Sequence, residues 1–364
     1  MTPILTIGGA GLLLGAAYFA LWPVPIDPVS WNAPKDQGYS GQFAANTKLA
    51  GLERLSIGGT YGPEDVAIMD TPDGFKLFAT GHQGEILEID TVNKTSRVIA
   101  NTGGVPLGIE AGDDGVLYVA DSYKGLLSVT LDGEVTVLTD TAEGTPIAYA
   151  DDLDIAPNGV IYFSDASTKF GAKAVGSTLQ ASLLEIIEHR NTGRILAFDP
   201  RDGSTAIVAG GFSFSNGVAM AADGMSILVN ETGSYETHRL FIDGPRKGEQ
   251  VTVLSNLPGF PDNINDLPDG TFLLGLISQR SAWLDANAQN PGARRLAMRL
   301  PAALRPQSEN YGFIIHLSAD GRVIETWQDP AGGYPQATGA IIAPDGYMYV
   351  SSLSAPDLAR LKLQ

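Results

Sequence analysis

Five short stretches of the chain resemble one another: Gly62-Pro63-Glu64-Asp65, Pro106-Leu107-Gly108-Ile109, Ala150-Asp151-Asp152-Leu153, Ser215-Asn216-Gly217-Val218 and Pro261-Asp262-Asn263-Ile264. Each leads into a turn that ends in glycine, at Gly74, Gly115, Gly159, Gly224 and Gly270. From Leu107, Asp151, Asn216 and Asp262 the glycine lies eight positions on; from Glu64 it lies ten, with Asp70-Thr71 as the extra two. Thr338 before Gly346 repeats the spacing without a metal-binding side chain. Repetition at a period of about 40 residues is the mark of a propeller or solenoid. In a propeller the innermost strands begin around one axis, so side chains in the same phase of several repeats meet there.

The repeat unit reads as antiparallel strands. Asp-Gly or Asn-Gly between alternating apolar runs signals a hairpin, because these residues accept positive φ. Such pairs occur at Asp73-Gly74, Asp114-Gly115, Asn158-Gly159, Asp223-Gly224, Asp269-Gly270 and Asp345-Gly346. Second hairpins follow at Asp202-Gly203 and Asp320-Gly321. Six units are expected, beginning near Gly62, Gly104, Tyr149, Phe214, Gly259 and Gln336. The fold expected is all-β, a six-bladed β-propeller. The last unit shows two obvious strands, and Glu53-Arg54-Leu55-Ser56-Ile57 is expected to complete it and close the ring, removing an exposed edge. Two units are stretched, over residues 168–192 and 279–310. Both insertions contain helical spacing, at Ala181–Glu188 and Arg294–Leu300, and long loops of this kind serve as lids or binding loops.

A single ring over residues 51–364 needs no domain boundary, since all-β rings exceed the usual domain length. The net charge of −18 argues against nucleic acid, which is held through Lys and Arg, and against docking on anionic lipid headgroups. Cysteine is absent, which excludes disulfides and thiol chemistry. Residues 4–22 carry no charge and are almost wholly apolar, and about 20 such residues span a bilayer core. Pro23, Pro25 and Pro28 then stop a helix. Residues 1–23 are therefore expected as an uncleaved transmembrane anchor, with a cleaved signal peptide as the competing reading. Residues 24–50 are expected as a linker, and the ring is expected outside the cytoplasm, in the periplasm of a bacterium.

Glu64, Asp151, Asn216 and Asp262, with Asn263 beside it, offer only hard oxygens. Carboxylates and amide carbonyls in that combination suit Ca²⁺, and no His or Cys falls in phase to suit Zn²⁺. Any one of these residues alone could cap a turn; four in phase point to a metal. A second set follows the glycines, at Asp121, Asp165 and Glu231, placed either to orient ligands or as charged blade edges. His82 lies late in the first unit; His189, His238 and His316 show no pairing pattern. No nucleophile elbow or phosphate loop is present.

These stretches, with Ile161-Tyr162-Phe163-Ser164-Asp165, Gly193-Arg194-Ile195-Leu196 and Leu257-Pro258-Gly259-Phe260, resemble the strictosidine synthase-like family, within the wider group of gluconolactonases (SMP-30) and paraoxonases. The resemblance runs over nearly all of residues 50–364. It implies a six-bladed propeller with Ca²⁺ in the central channel on Glu64, Asp151, Asn216, Asp262 and Asn263. It also implies hydrolysis of lactones, aryl esters or organophosphates. Two departures matter. The catalytic His of paraoxonases is replaced by Leu107, and the catalytic Glu of strictosidine synthases is missing from Thr338-Gly339-Ala340.

The activity expected is Ca²⁺-dependent hydrolysis of a small ester or lactone. Asp262 is the first candidate for the catalytic carboxylate, followed by Glu64 and Asp121. The rival expectation is a non-catalytic, membrane-tethered ring with a structural Ca²⁺ and protein partners, because fold alone does not settle function.

Overall fold

The hairpin turns set the architecture. The computed structural model describes residue 18 and residues 21–301, 304–305 and 310–363. Gly74, Gly115, Gly159, Gly224, Gly270 and Gly346 all have positive φ, and each joins the first two strands of one antiparallel sheet. Blade 1 comprises Val66–Thr71, Gly74–Thr80, Glu85–Asp90 and Thr95–Asn101; blade 2 comprises Pro106–Ala111, Leu117–Asp121, Gly125–Val129 and Val135–Thr139. Blade 3 comprises Ala150–Ile155, Ile161–Asp165, Gly193–Asp199 and Ser204–Phe212; blade 4 comprises Ser215–Met220, Ser226–Glu231, Glu236–Phe241 and Gln250–Leu254. Blade 5 comprises Gly259–Asp266, Phe272–Gln279, Gly312–Leu317 and Val323–Asp329. Blade 6 comprises Ala337–Ile342, Tyr347–Ser352 and Asp357–Lys362, and its fourth strand is Glu53–Ser56, paired antiparallel with the C-terminal strand. The expected ring closure is therefore present. Each innermost strand abuts that of the next blade, and the sixth abuts the first.

Blade 1 explains its irregular spacing. Its inner hairpin continues through the pairs Asp70↔Phe75 and Thr71↔Gly74, which uses the two extra residues. The core is a set of apolar layers between neighbouring blades. Leu55, Val66, Tyr349 and Leu358 fill the joint of blades 6 and 1, and Ile195, Val218, Ile227 and Val229 that of blades 3 and 4. Burial of each Leu or Ile contributes about 1.5–3 kcal/mol, so ring closure rests on these layers.

Strand alternation sorts the loops between two faces. The inner strands start on one face, and the loops between second and third strands return to it. Both stretched insertions are such loops. The first forms α1 (Ala172–Val175) and α2 (Thr178–Glu188), the second α3 (Ala282–Ala286) and α4 (Pro291–Met298). Ser177, Ser281 and Asn290 cap α2, α3 and α4 by accepting backbone N–H groups, which satisfies donors that a helix start leaves open.

Residues 24–50, expected as a linker, pack against the ring. They run across the ring as a strap. Ile26, Phe43 and Leu49 are buried, Val29 N–H donates to the Glu188 carbonyl at 3.0 Å, and Leu49 N–H donates to that of Gln328 at 3.0 Å. Trp31 stacks on His189 with ring centroids 4.0 Å apart, and Tyr39 on Tyr311 at 4.3 Å. The apolar side chains between the prolines decide this, because burying them offsets the entropy of ordering the strap. The anchor expected over residues 1–23 lies almost entirely outside the described residues. Among the described residues no helix is long and apolar enough to cross a membrane.

Candidate metal centre

A shared irregularity of the inner strands builds the site. In blades 2 to 6 the pairing of first and second strands slips by one residue, at 107/108, 151/152, 216/217, 262/263 and 338/339. Each slip is a β-bulge, which sets two residues against one and re-aims their side chains. In blade 1 the corresponding pair, Glu64 and Asp65, stands just ahead of its strand. The recurring motif in the sequence is thus the bulge. Its first position presents Glu64, Leu107, Asp151, Asn216, Asp262 and Thr338 to the axis.

Glu64, Asp151, Asn216, Asp262 and Asn263 are all buried, and interactions join them across the ring. The Asn216 amide donates to Asp262 Oδ1 at 2.5 Å. Asn263 Nδ2 donates to the Glu64 carbonyl at 3.0 Å and to Glu64 Oε1 at 3.1 Å. Thr338 Oγ1 donates to the same carbonyl at 2.6 Å. One oxygen of each of the five residues is left without any partner: Glu64 Oε2, Asp151 Oδ2, Asn216 Oδ1, Asp262 Oδ2 and Asn263 Oδ1. All five atoms are acceptors. Both amides have their NH₂ groups occupied by carboxylate or carbonyl oxygens, so turning either amide over would set oxygen against oxygen. Unpaired buried acceptors cost free energy, and a hard cation satisfies a set of them at once. The donor set therefore fits a divalent cation held by oxygen.

Electrostatics agrees with that fit. Burial raises the Glu64 carboxyl well above its usual range, and the charges of Asp262, Asp151, Asp65 and Asp152 raise it further. Burial, then Asp262, raises Asp151. Asp262 is pushed up to about 7, mainly by burial and against the Asn216 hydrogen bond. Three buried carboxylates whose charges act on one another cannot all be ionised cheaply without a compensating charge.

Asp121 stands elsewhere. Its Oδ1 accepts the N–H groups of Val105 at 3.1 Å and Tyr123 at 2.9 Å, and so clamps the chain entering the blade 2 bulge. Asp165 does the same for Ala148 and Tyr149 while pairing with Arg194 at 2.9 Å. Glu231 accepts from Ser213 N–H and meets His238 Nε2 at 2.9 Å. These three carboxylates brace the incoming chain, and Asp121 keeps its other oxygen, Oδ2, buried without a partner. Glu231, Glu236 and His238 come within 4.8 Å of one another, a grouping that spacing in the sequence did not reveal. His82 is partly buried against Tyr61.

The sequence reading also missed what covers the site. Val105, Tyr149, Phe214 and Phe260 each stand two residues ahead of a first bulge position, one strand step toward the lid. Tyr149, Phe214 and Leu107 join Ile26, Phe170 and Leu284 in one buried apolar cluster. Burial and the charges of Asp151, Asp262 and Glu64 raise the Tyr149 hydroxyl well above its usual value. The acidic ring is capped by apolar side chains from the inner strands, the two insertions and the strap.

Comparison with known proteins places this geometry. Residues 151–245 match the family model for strictosidine synthase, and residues 41–89 that for the strictosidine synthase-like N-terminal region. The chain is 30% identical to an adipocyte plasma membrane-associated protein of Danio rerio over 93% of this chain and 84% of the relative. It is 29% identical to the human protein of that description, over 97% of this chain and 87% of the relative. Strictosidine synthase-like 6 of Arabidopsis thaliana is 30% identical, over 86% of this chain and 82% of the relative. A gluconolactonase of Xanthomonas campestris shares the fold with a TM-score of 0.62 at 15% identity, covering 94% of this chain and 99% of that one. Regucalcin of Agrobacterium tumefaciens does so at 0.56 and 13%, covering 86% and 96%.

Proposed function

Since the chain belongs to the strictosidine synthase-like family, with the adipocyte plasma membrane-associated proteins among its relatives, we propose that it is a calcium-dependent hydrolase of esters or lactones. One observation carries the reading: five acceptor oxygens on or just ahead of the innermost strands, one from each of five residues, are buried with no donor to any of them. Glu64, Asp151, Asn216, Asp262 and Asn263 would hold the cation, which supplies Lewis-acid polarisation of a carbonyl oxygen when bound. Proteins of this fold that are described as a gluconolactonase and as a calcium-binding protein support the choice of reaction and ion.

The chain's own residues divide the remaining work. Asp262 and Glu64 are the carboxylates available to take a proton from the attacking water. Each has one oxygen fastened by an amide, Asp262 by Asn216 and Glu64 by Asn263, which fixes the orientation of the other. The apolar cap excludes bulk water and suits the hydrocarbon part of an ester or lactone. Leu107 supplies no general base, so the imidazole mechanism of paraoxonases is not open to this chain. The test is hydrolysis of aryl esters and γ- or δ-lactones by the full chain in detergent, with Ca²⁺ and then with a chelator. Activity lost with the chelator and restored by Ca²⁺ is expected. If Asp262→Asn keeps full turnover with calcium bound, the role given to Asp262 is wrong.

The cap favours a second reading. With Glu64 only 2% and Asp262 5% exposed, the acidic ring is covered on the lid side. A ring with purely structural calcium would hold its cation in this way. Stabilisation by Ca²⁺ without turnover of any ester or lactone would decide for it.

A further inference from the structure

Charge is distributed unevenly over this acidic molecule. The two insertions, residues 168–192 and 279–310, contain eight of the 23 Lys and Arg but only four of the 41 Asp and Glu. They are net basic, and the rest of the chain keeps 15 basic residues against 37 acidic. Both insertions lie on the face where the inner strands begin. The opposite face is built from the hairpin turns and presents Asp114, Asp223, Asp269 and Asp345, whose carboxylates each accept a backbone N–H within the turn. The lid face therefore carries two net basic insertions, and the far end presents acidic turns.

The lid is also apolar where it meets solvent. The helix α2 buries Ala181 and Leu184 against the ring, yet its outward side carries Leu179 and Leu183, each 39% exposed. Positions 179 and 183 fall one turn apart and form an apolar stripe, and Val175, at the end of the preceding helix α1, is 36% exposed. A helix apolar on two sides has a second apolar environment to meet. On the neighbouring insertion Leu296 and Leu304 are exposed, and Trp283, Ala293, Leu296, Ala297 and Leu300 line an apolar groove of about 480 Å³. Basic side chains flank this surface. Lys173 is exposed, Arg190 and Arg295 both pair with Asp27, and Arg190 also meets Glu188 at 3.2 Å.

The chain also joins the lid at its N-terminal end. Tyr18 donates to the Arg299 carbonyl at 3.0 Å, and Arg299 Nε donates to that of Trp22 at 2.7 Å. Tyr18, Leu21 and Trp22 are exposed there. Buried Arg294 ties the parts together by donating to the carbonyls of Ile187, Ala288 and Val29, which belong to one insertion, the other and the strap.

We propose that the lid face, with the stripe of α2 and the Leu296 groove, docks on an anionic lipid bilayer and turns the mouth of the central channel toward the membrane. Basic side chains near an anionic leaflet each contribute about 1 kcal/mol, and Tyr and Trp suit the interface. The net charge of −18 pointed away from such docking, but it averages over two net basic insertions and a strongly acidic remainder. The acidic turns at the far end set the orientation by repulsion.

The absence of cysteine makes the test clean. The full chain is reconstituted with vesicles of phosphatidylcholine, with or without phosphatidylserine, carrying an environment-sensitive probe on Leu183→Cys, Leu296→Cys or Met225→Cys. Met225 is equally exposed, at 46% against 46% for Leu296, and lies in a hairpin turn of the far face. With phosphatidylserine present, spin-labelled lipid should quench the probes at 183 and 296 and leave that at 225 unquenched. Lys173→Glu combined with Arg295→Gln should lower quenching at 183 about tenfold at limiting phosphatidylserine. Lid probes as wet as that at 225 would overturn the proposal, as would equal quenching at all three positions. Lid probes shielded before lipid is added and indifferent to spin-labelled lipid would assign the surface to a protein partner, which also overturns it.

Discussion

Blades 1, 3 and 5 and blades 2, 4 and 6 are built on the same strand pattern but differ at the second bulge position. The odd blades place Asp65, Asp152 and Asn263 there, and the even blades Gly108, Gly217 and Gly339. The difference shows in how the blades are joined. Each odd blade reaches the following even blade through a side chain. Asp65 Oδ2 accepts from Ile109 N–H at 3.0 Å and Asp152 Oδ2 from Val218 N–H at 2.8 Å, while Asn265 Nδ2 donates to the Ala340 carbonyl at 3.1 Å. Blades 2 and 4 meet the blade that follows by close backbone approach, to which blade 4 adds hydrogen bonds from Asn230 Nδ2 to the Asp262 carbonyl at 2.6 Å and from Thr232 Oγ1 to that of Pro261 at 2.7 Å. A Cβ added at Gly108 would lie 2.7 Å from the Asp152 Cα, and one at Gly217 would lie 2.5 Å from the Asp262 carbonyl oxygen. Charge is thereby concentrated on alternate blades, and the blades between them provide the room for the innermost strands to approach.

The sharpest way to break this arrangement is to fill the room. Gly217→Ala should destabilise the protein by about 3 kcal/mol through overpacking and should abolish stabilisation by calcium, both read from denaturation midpoints. Gly210→Ala, on an outer strand where a Cβ would meet nothing closer than 3.9 Å, should leave both unchanged. Breaking a staple comes next. Asp152→Ala leaves the buried Val218 N–H unsatisfied and should cost about 2 kcal/mol. Asp262→Asn keeps the shape of the ring and removes one charge. It should weaken calcium about tenfold, or about 1.4 kcal/mol, measured by titration calorimetry.

The smallest effect concerns pH. Glu64, Asp151 and Asp262 all have carboxyl pKa values raised on folding. A raised carboxyl binds more protons in the folded state than in the unfolded state, so stability falls as pH rises between the two values. For Asp262 the window runs from its unfolded value, about 4, to about 7. In chelator, the stability lost between pH 5 and pH 8 should be larger for the wild-type protein than for Asp262→Asn. With calcium bound the difference should vanish. Parallel pH profiles of the two proteins in chelator would sink the claim that these carboxylates repel one another.

The repeat, the six blades and the closing strand were legible because positive-φ turns and alternating apolar runs are local properties of the chain. So were Glu64, Asp151, Asn216, Asp262 and Asn263, since a ring converts equal phase into proximity. Asp121 also had the right phase along the chain, yet it stands one strand further out, where its nearest demands are the N–H groups of Val105 and Tyr123. Phase along a strand does not reveal which strand of the blade faces the axis. The strap was misread because Pro and Gly describe backbone freedom, whereas the burial of Ile26, Phe43 and Leu49 depends on surfaces brought from far along the chain.

What the sequence determined by itself is the order of strands, the set of candidate oxygen donors and the lack of His at position 107. Only the tertiary structure decided that these donors sit on or just ahead of strand bulges with one oxygen each left unpaired. It also decided that an apolar cap covers them, and that two net basic insertions of an acidic chain share one face. The physical reason is the same in each case. Turns and strand registers are fixed by neighbours along the chain, but unpaired acceptors, burial and the direction of charge depend on which distant surfaces meet.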